Sequence, residues 1–89
     1  MLHTRQYPVI IDGEEGAYGA VFPDLPGVVA MGDTIHEALA NAAEALAEAI
    51  REAKTHGETL PSPSRAENLQ VPADARLVTW IVLAQEMDA

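Results

Sequence analysis

The stretch Thr34–His56, TIHEALANAAEALAEAIREAKTH, decides the fold. Its first four residues, Thr34-Ile35-His36-Glu37, have the S/T-x-x-E form of a capping box. In that device the threonine hydroxyl accepts from an orphan amide and the glutamate reaches back to the cap. Ile35, Leu39, Ala42, Ala43, Leu46, Ala49, Ile50 and Ala53 recur at i+3/i+4 and make one apolar stripe. No Pro or Gly interrupts before Gly57, which suits a C′ position, while Arg51, Lys54 and His56 complement the dipole at the C-terminal end. The pattern predicts a helix over 34–56, roughly 35 Å long at 1.5 Å per residue. Strands as short as those read below do not need that length, so the far end is expected to project or to cover a partner subunit. The opposite face carries Glu37, Asn41, Glu44, Glu48 and Glu52. Carboxylates spaced i,i+4 repel by a few tenths of a kcal/mol per pair. Such a stripe is either a solvated face or a docking surface for basic side chains.

Upstream the period changes from helical to alternating. Tyr7, Val9 and Ile11 alternate with Gln6, Pro8 and Asp12, predicting a half-buried strand over about 5–12 with Pro8 at its start or at a free edge. Asp12-Gly13-Glu14-Glu15-Gly16 reads as a turn. Tyr18, Ala20 and Phe22 alternate on a second strand, 17–22. Pro23-Asp24-Leu25-Pro26-Gly27 reads as a loop, since two prolines remove donors and restrict the residues before them. A short third strand, 28–31, completes an antiparallel meander. Downstream, 58–72 is a Pro-rich extended connection with an ambiguous piece at Arg65–Gln70. A last strand over 76–84 is apolar on both faces, with Leu77, Thr79, Ile81 and Leu83 on one and Val78, Trp80 and Val82 on the other. A strand of that kind is central in its sheet or buried in an interface. Gln85–Ala89 reads as a frayed polar tail. The order is β-β-β-α-β: an α+β fold, a small antiparallel-type sheet with one long amphipathic helix on one face. The other face must be covered by the 58–72 segment, by a second copy or by a partner.

Eighty-nine residues make one domain. The net charge of −9 comes from 14 Asp and Glu against five scattered Lys and Arg. No basic stripe tracks a phosphate backbone, which argues against direct nucleic-acid binding. Acidity instead favours a basic partner, or simply solubility. The absence of cysteine excludes disulfides, thiol catalysis and Cys-based metal sites. The first residues match neither a signal peptide nor a membrane span, so the expected compartment is cytoplasmic. His3, His36 and His56 lack zinc-site spacing; Ser62 and Ser64 sit in no nucleophile elbow; no phosphate-binding glycine loop occurs. No cofactor is implied. Asp12, Asp24 and Asp33 fall at strand or loop ends, where two-metal phosphoryl chemistry gathers acids, but where Asp also serves turns.

Tyr7-Pro8-Val9-Ile10-Ile11, Phe22-Pro23-Asp24-Leu25-Pro26-Gly27, Gly32-Asp33-Thr34 and Glu37-Ala38-Leu39-Ala40-Asn41-Ala42 occur in that order. Together they resemble the N-terminal domain of HicB-like antitoxins, over Tyr7 to Ile50. The resemblance implies a partial RNase H-like fold without catalytic activity. It also implies a small basic HicA-type toxin as partner, an RNase that the antitoxin occludes, and homo-oligomers, dimer or tetramer. Six residues after Leu83 leave no room for the C-terminal DNA-binding domain that longer members carry, so DNA binding is not expected of this chain. The expected partner-binding residues are Phe22, Asp24 and Leu25 in the loop and Glu44, Glu48 and Glu52 on the helix. Trp80 and Val82 are the expected oligomer interface. Two other readings stay open: a metal-dependent RNase H-like nuclease remnant, and a homo-oligomer without a toxin.

Overall fold

The computed structural model describes the backbone of residues 2–86 and the side chains of residues 6–82. Its elements are β1 (Leu2–Glu14), β2 (Ala17–Phe22), β3 (Leu25–Gly32), α1 (Ile35–Thr55), a 3₁₀ turn (Ala66–Asn68) and β4 (Leu77–Glu86). The sheet is antiparallel throughout, in the order β3-β2-β1-β4.

β1 and β2 join through a two-residue turn, Glu15-Gly16, which Gly16 closes at φ +87. Its amide donates to the Asp33 carbonyl at 2.8 Å, tying this hairpin to the junction before the helix. β1 is longer than the alternation predicts, because β4 pairs with it from Leu2↔Glu86 to Ile11↔Leu77. Pro8 therefore lies inside β1 and not at its start. The β1–β2 ladder runs only from Glu14↔Ala17 to Ile10↔Val21, so the missing N–H of Pro8 falls where β2 no longer pairs. β3 likewise begins earlier than expected. Phe22 pairs with Leu25 across the turn Pro23-Asp24, and the next ladder pair is Val21↔Val29. Pro26, Gly27 and Val28 are thus extended but outside the ladder, in an edge strand that tolerates proline.

The helix matches its capping box. The Thr34 hydroxyl accepts from the Glu37 amide at 3.0 Å, and Glu37 accepts from the Asp33 amide at 2.8 Å. Ala38, Ala42, Leu46, Ile50 and Ala53 are buried, with Ile35 and Leu39 packed at the margin. α1 lies over β3 and β2. Its first turns press close: a Cβ on Gly32 would come within 2.4 Å of the Ala38 nitrogen. Burial of Ala53 shows that the helix stays packed to within a turn of its C-terminus, so the expected overhang is not found. The core joins this stripe to Tyr7, Val9 and Ile11 of β1, Ala20 and Phe22 of β2, and Leu25.

Two expectations for the second half change. β4 is an edge strand, and β1, not β4, holds the centre. β4 also runs on through Glu86, past the predicted end; the rest of the expected tail, 87–89, lies outside the described residues. The 58–72 connection covers the helix side of the sheet. Leu60 packs on the core, and the hydroxyl of buried Tyr7, which faces the helix layer, donates to the Pro61 carbonyl at 2.5 Å. That segment therefore does not cover the other face.

Candidate partner-binding surfaces

The loop residues do three different things. Phe22 and Leu25 are buried in the core and present no side-chain surface; they anchor the β2–β3 turn. Asp24 is half-buried. One of its carboxylate oxygens accepts from the Ser64 amide at 2.7 Å, and the other accepts from the Ser64 hydroxyl. A carboxylate that takes two hydrogen bonds from a residue 40 positions away fixes the connection against the sheet. The sequence offers no local signal for this pairing, because an Asp in a Pro-rich turn already has a sufficient explanation in the turn itself.

The helix residues are placed as the 3.6 period requires. Glu44, Glu48 and Glu52 are exposed along one line. Beside its C-terminal end, Glu48, Arg51, Glu52, Thr55 and His56 border a shallow, open depression of about 400 Å³. His56 Nε2 lies 3.9 Å from the Glu52 carboxylate. Surface ion pairs of this kind contribute about 1 kcal/mol at most. The stripe is therefore a row of solvated carboxylates, with cations only at its far end. Asn41, earlier on the same face, donates to the Met31 carbonyl at 2.8 Å and so helps hold α1 on β3.

Trp80 and Val82 lie on the sheet face away from the helix. Trp80 pairs with Pro8, Val78 with Ile10 and Val82 with Gln6. On the other side of β1, Ile10 pairs with Val21, and Val21 with Val29. Pro8 and Ile10 are buried in the middle of this face. Val21, Val29, Met31 and Val82 around them are 37, 58, 68 and 55% exposed. Val21, Val29 and Met31 were missed as surface candidates. Their signal is parity: each stands one residue from a core position of its strand.

Asp12, Asp24 and Asp33 are not drawn into one site. Asp24 holds Ser64, while Asp33 uses its backbone to bind Gly16 and Glu37. Among the described residues no group of three or more His, Cys, Asp or Glu is placed to hold an ion. No helix among them is long and apolar enough to cross a membrane.

This layout recurs in known proteins. The chain is 31% identical over 87 residues to Antitoxin HicB 2 of Photorhabdus laumondii, covering 98% of this chain and 63% of that protein. It superposes on the N-terminal domain of the Burkholderia pseudomallei antitoxin HicB with a TM-score of 0.68 and 25% identity, covering 92% of this chain and 99% of that one. A chain of a HicA3 and HicB3 toxin–antitoxin complex matches with a TM-score of 0.63 and 27% identity, over 94% of this chain and 99% of that one. The family model described as the HicB-like antitoxin of bacterial toxin–antitoxin systems matches residues 7–89. With that match running from Tyr7 of β1 through β4, and the four-strand, one-helix layout shared with solved members, the chain belongs to the HicB-like antitoxin family.

Proposed function

We propose that this chain is the binding part of an antitoxin, which neutralises a small basic HicA-type RNase toxin by occluding it and catalyses nothing itself. The observation that carries the reading is the segregation of charge. A chain of net charge −9 presents Glu44, Glu48 and Glu52 as an exposed line on the outer face of α1, with His56 beside Glu52 at its far end. Carboxylates so placed steer a basic protein toward the helix and disfavour acidic competitors. Family membership and the likeness to a chain from a toxin–antitoxin complex support the same partner class. Asp24 acts indirectly in this reading, by fixing the turn and the connection. Its clamp on Ser64 also takes it away from the metal chemistry of a nuclease. A homo-oligomer with Trp80 and Val82 at its interface, and a cytoplasmic setting, belong to the same reading. The test is co-expression with a basic HicA-type RNase. Growth is rescued and the two proteins co-purify if the reading is right. Persistent toxicity with no complex refutes it.

A further inference from the structure

The outward face of α1 is exposed along its length, from Glu37 through Glu44, Glu48 and Glu52 to Thr55. It carries no large apolar side chain: Leu46 and Ile50 are buried, and Ile35 and Leu39 pack at the margin of the core. Contacts between proteins draw most of their affinity from bulky anchors, above all aromatic ones, seated in pockets. This face offers no such apolar anchor. Interfaces with nucleic acid differ: they are polar, and positive on the protein side. A surface of that kind, built to hold a polyanion, is what the face of α1 fits.

The spacing of the carboxylates points the same way. Glu44, Glu48 and Glu52 step by four residues, so each lies about 6 Å further along the axis and only about 40° round it. Neighbouring phosphates of one nucleic-acid strand are about 6–7 Å apart through space, although the axial rise per nucleotide is about 3.4 Å. Glu37, two turns before Glu44, lengthens the row to about 22 Å. The spacing is set before any partner arrives, because α1 is fixed at both ends. Thr34 caps the first turn, and the Glu58 amide donates to the Ala53 carbonyl at 2.7 Å, past Gly57 at φ +68. Arg51 and His56 border the depression beside Glu48 and Glu52 and close the negative run at its C-terminal end.

We infer that the outer face of α1 is a replica of a short nucleic-acid strand, seated in the track of the basic RNase along which the RNA backbone lies. The inference rests on the antitoxin reading and deepens it: the occluded surface is the phosphate track, and RNA and this chain exclude each other there. Where the carboxylates stand then matters as well as how many there are.

The experiment titrates a basic HicA-type RNase with a fluorescent 2′-O-methyl oligonucleotide, which resists cleavage, in the presence of the full chain. Competition is expected: the native chain at ten times its own Kd raises the apparent Kd of the oligonucleotide about tenfold, with no ternary complex. A second arm uses Glu44→Gln/Glu48→Gln/Ser62→Glu/Gln70→Glu, which keeps the net charge of −9 and moves two carboxylates from the row to exposed positions of the connection. Circular dichroism checks that it folds. This variant is expected to displace the oligonucleotide at least tenfold less well than the native chain. A ternary complex of RNase, oligonucleotide and native chain overturns the replica and leaves the antitoxin reading standing. A rearranged variant that competes as well as the native chain also overturns it, since charge alone then suffices. A native chain that does not bind the RNase at all overturns both.

Discussion

The two faces of the sheet share their strands and differ in exposure. On the helix side, Tyr7, Val9, Ile11, Ala20 and Phe22 are almost wholly removed from solvent. On the open side, Val21, Val29, Met31 and Val82 are apolar too, yet Val29, Met31 and Val82 remain more than half exposed. The difference is not in hydrophobicity but in what the same chain supplies to cover it. α1 and the 58–72 connection both go to one side. The first face is therefore buried by the isolated chain throughout, whereas on the second Pro8 and Ile10 are buried and Val29, Met31 and Val82 stay in solvent.

Substitutions on the two faces should separate sharply. Phe22→Ala, at the buried end of β2, is expected to cost about 3–5 kcal/mol by leaving a cavity beneath α1, read as a shift in the chemical-denaturation midpoint. Asp24→Ala leaves the Ser64 amide and hydroxyl without their acceptor and should cost about 1–3 kcal/mol. Faster amide exchange across 58–65, with α1 unchanged, would locate that loss in the connection. Thr34→Ala removes the acceptor for the Glu37 amide and should cost about 1 kcal/mol. Val29→Ala, on the open face, should shift the stability of the dilute monomer by no more than about 0.5 kcal/mol. A larger loss there would mean that the open face is covered from within, and the comparison would fail.

The sequence makes the helix, its caps and the meander legible because each rests on local rules: a capping box, a 3.6 period, alternation and paired turn residues. The meander's strand lengths were less legible. β1 extends to Leu2 only because β4 lies beside it, and no residue near Leu2 announces a partner more than eighty positions away. The position of β4 was left open between the sheet centre and an interface for a related reason, and it lies at the edge. Apolar residues on both faces mean burial on both faces, but they do not say whether neighbouring strands or another chain provide it. Of the candidate site, Glu44, Glu48 and Glu52 were legible from helical spacing. Asp24 was visible as a residue but not as a clamp, since its partner Ser64 lies on a connection without regular structure. Phe22 and Leu25 were expected among the partner-binding residues of the loop, whereas their pairing across that turn places both side chains in the core.

The account rests most on the claim that the acidic face of α1, and not the open sheet face, receives the basic partner. The direct measurement is the association rate of a basic HicA-type RNase with the native chain and with Glu44→Gln/Glu48→Gln/Glu52→Gln, each at low and high salt. The native rate should fall steeply as salt is added, because steering between opposite charges is screened. The triple variant should associate at least tenfold more slowly at low salt and respond only weakly to added salt. Equal rates and equal salt dependence for the two proteins would contradict the claim and place the partner elsewhere on the molecule.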